Sequence, residues 1–177
     1  MNYIGSKVYI NLKQLVKNYH LLSNKVGNLP IMATVKANGY GHGAVEVSKA
    51  LEKEGVRYLA VFTIEEGIEL REAGVQSDIL LYSKLNPHGI DSAIKHKLTL
   101  NISSFDDLKI LETYNTQEHT LKVHLKVDTG MTRLGVPHNQ AEDFFKQAQD
   151  INHIEIEGLY SHFATADEGD LTYAKSQ

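Results

Sequence analysis

Ionisable and aromatic side chains cluster in three short segments that could form one site, "TVKANGYGHG" (34–43), "VHLKVDTGMTRLG" (123–135) and "GLYSHFATAD" (158–167). In the first segment, Lys36 ends an apolar run and precedes three glycines at alternate positions. Such a loop lets a ligand approach the backbone closely and exposes amide donors beside the lysine cation. The loop matches neither the P-loop nor the dinucleotide fingerprint, and an isolated lysine at a strand end usually points to solvent.

The second segment places charge on a strand. Strand alternation puts His124, Lys126 and Asp128 on one face and valine and leucine on the other. One alternative is that Lys126 and Asp128 neutralise each other, but Arg133 follows closely and would repel Lys126 unless one of the two is neutral or modified. A carbamate formed on Lys126 by carbon dioxide would be an anion able to accept two hydrogen bonds from Arg133.

The third segment places Gly158, Tyr160 and His162 on one face of a strand. A lone histidine at a strand end is more often structural than catalytic. The other charged strand ends favour a functional role, because the carboxyl ends of parallel strands meet at one edge of the sheet.

Composition narrows the class of protein. The 177 residues suffice for one domain, and 42% hydrophobic and 23% charged residues are ordinary globular values. A net charge of -4 without a basic run argues against nucleic-acid binding, and the absence of cysteine excludes disulfides, thiolate nucleophiles and Cys-based zinc sites. The sequence shows no signal peptide or apolar stretch of membrane-spanning length, so we expect a cytoplasmic protein with no membrane partner.

Six β-type runs alternate with segments of helical periodicity, which predicts an α/β fold with a parallel sheet. The runs begin near residues 29, 57, 77, 97, 121 and 153. An open doubly wound sheet and a (β/α)8 TIM-type barrel both fit; the regular alternation favours the barrel, with about six of its eight βα units present. A helix is also predicted before the first run, with one apolar side made of Leu12, Leu15, Tyr19 and Leu22.

Taken together, "VKANGYGHG", "LKVDTGMTRLG" and "GLYSHFATAD" resemble the alanine racemases, pyridoxal-phosphate enzymes of fold type III, in order and approximate spacing. The resemblance runs through the whole chain. It implies that residues 1–177 are the N-terminal part of the family's barrel domain, without the last barrel strands and the C-terminal β domain.

The resemblance also implies residue roles. Lys36 would form the internal aldimine with pyridoxal 5'-phosphate and act as one of two catalytic bases, and Tyr40 would hydrogen-bond the cofactor phosphate. Arg133 would orient the cofactor's phenolic oxygen and the substrate carboxylate. Lys126 would be carbamylated and position Arg133, and His162 would lie beneath the cofactor ring.

The implied activity is the interconversion of L- and D-alanine, which supplies D-alanine for peptidoglycan. The family works as a homodimer, in which the partner subunit contributes a tyrosine as the second base. We therefore expect these 177 residues alone to racemise poorly or not at all.

Other activities stay open at this point. A serine or broad-specificity racemase of the same family shares the lysine segment, and a fold type III decarboxylase also places a lysine after its first strand. A metal-dependent hydrolase barrel could use His124, Asp128 and His162 as ligands, although the first strand lacks the paired histidines of such sites.

Overall fold

The structure, a computed structural model, describes residues 6–27, 29–114 and 119–177. Its centre is a parallel sheet in which β1 to β5 lie side by side in chain order, and β5 then pairs with both β6 and β7. The strands are β1 (Met32–Thr34), β2 (Tyr58–Val61), β3 (Asp78–Leu81), β4 (Leu98–Ile102), β5 (Leu121–Asp128), β6 (Val136–Pro137) and β7 (Ile154–Tyr160). The six predicted strands are confirmed, and the sheet is an unclosed barrel-type α/β arrangement within the described residues.

Strand β6 was not predicted. It has only two residues and pairs with the carboxyl end of β5, where Val136 lies beside Val127 and Pro137 beside Asp128. A pair of residues is too short to show strand alternation, so no pattern in the sequence marks it.

Helices connect the strands and cover one face of the sheet. They are α1 (Leu12–Lys25), α2 (Lys36–Tyr40), α3 (Ala44–Lys53), α4 (Ile64–Glu72), α5 (Ile90–Lys95), α6 (Phe105–Thr113), α7 (Ala141–Gln149) and α8 (Thr172–Ser176), with short 3₁₀ helices at Pro87–Gly89 and His138–Gln140. Their ends follow local chemistry: Ser104 caps α6 by accepting a hydrogen bond from the Asp107 N–H, and Gly55 adopts a φ of 87° just after α3. None of the described helices is long and apolar enough to cross a bilayer.

The hydrophobic core lies between the helices and the outward face of the sheet. In β5, Val123 and Leu125 are fully buried among apolar side chains from the helices, as the strand alternation predicts. The opposite face carries polar and aromatic residues, which face the interior of the partial barrel. There the Tyr160 hydroxyl donates to Asn101 Oδ1 over 2.9 Å, and the Tyr82 ring lies 5.9 Å from that of Tyr160.

Three of the four residues predicted on the apolar side of α1 contact the core. Leu12, Leu15 and Tyr19 pack against the core, but Leu22 is 57% exposed. With about 100° between successive residues of a helix, the four side chains lie within an arc of about 80°, so Leu22 is on the same side as the others but at its edge.

The loop that carries Arg133 returns closely to β5 at Gly135. This glycine has a φ of 117°, and a Cβ placed on it would lie 2.7 Å from the Asp128 nitrogen and 2.8 Å from the Val127 carbonyl carbon. Backbone atoms of a paired strand cannot move aside, so only glycine fits this close approach.

We expect Gly135→Ala to lower the free energy of unfolding by roughly 2 kcal/mol or more, since it combines a positive φ with a backbone clash. Gly169→Ala is the matched control, because an added Cβ there meets no atom within 4 Å. Urea denaturation followed by circular dichroism measures both. Equal stability of the two variants would contradict this account of the loop.

Candidate functional site

Lys36 lies where β1 ends, at the carboxyl edge of the sheet. The preceding residue, Val35, is buried and donates its N–H to the Ala60 carbonyl over 2.8 Å, which continues the pairing of β1 with β2. The half-buried Lys36 side chain places its Nζ 5.7 Å from the centre of the Phe62 ring and 6.0 Å from that of Tyr40.

Segment α2 is not a right-handed helix, because the residues after Lys36 form one left-handed turn. Ala37, Asn38, Gly39 and Tyr40 have φ values of 52°, 53°, 61° and 54°. A left-handed conformation costs an L-residue roughly 1–2 kcal/mol, and glycine alone avoids that cost. The Gly39 N–H donates to the Val35 carbonyl over 2.8 Å, and Asn38 Oδ1 accepts from the N–H of Ala44. Local strain that the surroundings hold in place is concentrated at functional sites.

Lys126 is the buried cation of β5. Its side chain is only 7% exposed, and its Nζ lies 4.2 Å from the centre of the Tyr160 ring. Burial lowers the pKa of Lys126, the positive charge of Arg133 lowers it further, and Asp128 opposes both effects. The lower pKa increases the fraction of the amine that is neutral.

Asp128 does not form an ion pair with Lys126, so the alternative in which the two neutralise each other is not observed. One Asp128 carboxylate oxygen instead accepts hydrogen bonds from the N–H groups of Gly130 and Thr132, each over 2.9 Å. These backbone donors hold the pKa of Asp128 below its usual value. Asp128 therefore shapes the loop that carries Arg133.

The cations predicted from the three segments act on one another in the structure. Burial lowers the pKa of His162, and so do the charges of Arg133, Lys126 and Lys36, in that order. Arg133, His162 and Tyr40 are exposed, whereas Lys126 is buried beneath them. Within the described ranges, the observed ion pairs do not involve Lys36, Lys126 or Arg133. The carboxyl end of the sheet thus carries positive charge without carboxylate partners, which suits an anionic ligand.

His124 lies deeper in the partial barrel, between the chain at Gly158 and the Tyr160 ring. Burial lowers its pKa, so the neutral imidazole is favoured. Across the part of the chain that the structure describes, no three histidine, aspartate or glutamate side chains form a group that could hold a metal ion. His124, Asp128 and His162, the ligands that the metal-dependent hydrolase alternative would use, do not form such a group in the described residues.

A large cavity lies elsewhere, at the amino ends of the strands. It measures about 1450 Å³, and its lining includes Asp78, Leu121 and Lys122. In α/β folds the residues at the amino ends of the strands contribute to stability, whereas ligands bind at the carboxyl ends. We therefore place the candidate site around Lys36 and not in this cavity.

Two residues near Lys36 were missed by sequence reasoning. Phe62 follows β2 and contributes its ring, and Glu66 contacts the backbone of Ala37. The capping pattern "TIEE" at 63–66 could have indicated Glu66 as a helix cap, but it contains no sign of the contact 29 residues away.

Comparison with protein families identifies the fold and its relatives. Residues 10–177 match the family described as alanine racemase, N-terminal domain. The chain belongs to this family. It is 38% identical over 175 residues to alanine racemase 1 of Caldanaerobacter subterraneus subsp. tengcongensis, a match that covers 97% of the chain and 45% of that protein. It is 42% identical over 151 residues to the alanine racemase of Halalkalibacterium halodurans, covering 83% of the chain and 38% of that protein.

Solved structures of the family agree with the architecture. An alanine racemase of Clostridium difficile 630 in complex with cycloserine superposes with a TM-score of 0.87 at 37% identity, over 94% of this chain and 47% of that one. The chain thus spans about half the length of the relatives it matches.

The two interior lysines of β5 provide a test of the site's electrostatics. In buffer freed of carbon dioxide, where Lys126 is an unmodified amine, we expect Lys126→Met to raise the free energy of unfolding by about 1 kcal/mol at pH 7, because it removes a buried cation that lacks an ion pair. Because the pKa of Lys126 is lowered in the folded state, the unfolded chain binds more protons than the folded chain. The free energy of unfolding of the wild type therefore rises with pH toward the ordinary lysine pKa near 10.4. The variant should lack this rise.

Lys122→Met is the control, and we expect it to lower the free energy of unfolding at neutral pH. Lys122 forms an ion pair with Glu157, which raises the Lys122 pKa. The stabilisation of the fold by this pair is therefore present at neutral pH and is lost as pH rises through the raised pKa. Thermal melts of both variants from pH 7 to 10 measure the difference. A lower melting temperature for Lys126→Met than for wild type at pH 7 would contradict the assignment of an unpaired buried cation.

Proposed function

We propose that this chain forms the lysine-bearing half of an alanine racemase active site that uses pyridoxal 5'-phosphate. The observation that carries the proposal is the position of the Lys36 amine, in a strained turn at the carboxyl end of the sheet among cations without carboxylate partners. Family membership supports the same activity, which we assign to the protein as a whole.

The residues present fit the chemistry of the cofactor. An amine is the group that condenses with an aldehyde, and Lys36 presents one at the sheet edge. Arg133 supplies positive charge for a phenolate or a carboxylate, while the Asp128 carboxylate at the end of β5 accepts hydrogen bonds from backbone amides. When bound, pyridoxal phosphate supplies an electron sink for the charge left when the α-proton departs.

Each side chain then has a role in the proposal. The Lys36 amine binds the cofactor and afterwards takes or returns the α-proton on its own face of the substrate. The exposed Tyr40 hydroxyl donates a hydrogen bond to the phosphate. Arg133 would bind the substrate carboxylate and the phenolic oxygen, and His162 would contact the cofactor ring.

Lys126 is proposed as a carbamate that positions Arg133. Carbon dioxide reacts with a neutral amine, and burial together with Arg133 lowers the pKa of Lys126, which supports this modification. The carbamate would replace a repulsive pair of cations with an ion pair.

The wider function follows from the relatives. We propose alanine as the substrate, a cytoplasmic homodimer as the working form, and D-alanine for peptidoglycan as the product's use; a serine or broad-specificity racemase is the alternative. The chain corresponds to about half of its relatives, so we assign the second base to sequence outside the match and expect these 177 residues alone to racemise little.

Covalent trapping tests the proposal. Incubation with pyridoxal 5'-phosphate followed by borohydride should attach the cofactor to Lys36, and peptide mapping should find this lysine labelled well above all others. Lys36→Arg keeps the charge but cannot form the bond, so it should lose the label. Preferential labelling of other lysines, with Lys36 unmodified, would contradict the assignment.

A further inference from the structure

The Glu66 carboxylate joins the ends of two neighbouring strands. Its Oε1 accepts a hydrogen bond from the Ala37 N–H over 2.6 Å, just after β1. Its Oε2 accepts from the N–H groups of Phe62 over 2.7 Å and Thr63 over 3.1 Å, just after β2. Three backbone donors therefore share one carboxylate, and charge-assisted bonds of this kind are stronger than neutral ones.

These contacts lie next to the proposed reactive amine. Ala37 directly follows Lys36 and is the first residue of the left-handed turn, with a φ of 52°. The Phe62 ring lies 5.7 Å from the Lys36 Nζ. Glu66 thus fixes both the direction in which the chain leaves β1 and a ring that borders the lysine.

Helix capping accounts for only part of this arrangement. Glu66 and Thr63 form a capping box at the start of α4, in which Thr63 Oγ1 accepts from the Glu66 N–H and Glu66 accepts from the Thr63 N–H. A capping box needs no contact with another strand. The bond to Ala37 is an additional long-range contact.

We propose that Glu66 is a positioning residue, whose carboxylate holds the strained turn after β1 and thereby directs the Lys36 amine toward the cationic end of the sheet. The inference rests on the proposed function for the role of the amine. The control of the turn by Glu66 can be measured independently of it.

Replacing Glu66 with glutamine tests these hydrogen bonds with little change in side-chain size. Both oxygens of Glu66 accept from backbone N–H groups, so the amide of Glu66→Gln must turn its NH₂ toward one of those donors. At least one side of the bridge is lost, although size and helix propensity barely change.

The experiment compares Glu66→Gln with two controls in the same chain. Thr63→Ala removes the other half of the capping box and keeps the carboxylate that bonds Ala37, and Glu65→Gln changes the neighbouring exposed glutamate. Three quantities are measured: melting temperature, hydrogen exchange of the peptide covering residues 35–40, and the rate at which pyridoxal 5'-phosphate labels Lys36 under borohydride.

We expect Glu66→Gln to slow labelling of Lys36 by about tenfold and to speed amide exchange in the turn, because reactivity depends on the position of the amine. Thr63→Ala should lose melting temperature yet keep labelling within about twofold of wild type. Glu65→Gln should match wild type in labelling and in exchange.

Three results would overturn the inference: wild-type labelling and exchange in Glu66→Gln, an equal labelling defect in Thr63→Ala, or slowed labelling without a change in exchange. If wild type itself is not labelled at Lys36, the proposed function fails, and exchange in the turn alone still decides the role of Glu66. If Glu66→Gln is unfolded at the assay temperature, Glu66→Asp, which keeps the charge but is one methylene shorter, is judged by the same criteria.

Discussion

Positive charge without carboxylate partners at the carboxyl end of the sheet is the constraint on which the site depends. Placing cations such as Lys36, Lys126 and Arg133 near one another costs free energy, most of all for Lys126, which is buried. Two carboxylates at these strand ends accept hydrogen bonds from the backbone instead: Asp128 from the loop after β5, and Glu66 from the ends of β1 and β2. The cations therefore stay available for an anionic ligand.

The other end of the sheet is organised in the opposite way. Lys122 pairs there with Glu157, which also accepts from the Thr99 hydroxyl over 3.1 Å. Arg71 donates to four backbone carbonyls, so its charge ties neighbouring loops together. Satisfied polar groups at the amino ends stabilise the fold, while the unsatisfied charge at the carboxyl ends is left for binding.

Patterns with a local cause could be predicted from sequence. Alternation placed the six main strands and the inward direction of Lys126, and the serine before α6 marked its first turn. The left-handed turn after Lys36 was harder to predict from the sequence. The glycines indicated a permissive backbone, but Ala37 and Tyr40 also have positive φ values, and no side-chain pattern predicts these. The bond between Glu66 and Ala37 spans 29 residues, and such contacts follow from strand order and not from local periodicity.

The most direct test of the unpaired charge is an equilibrium titration of the wild-type chain with pyridoxal 5'-phosphate and with pyridoxal, which lacks the phosphate, at low and high salt. We expect the phosphate-bearing aldehyde to bind about tenfold more tightly at low salt, and we expect the difference to shrink as salt screens the cations. Equal affinities of the two aldehydes at low salt would contradict this expectation.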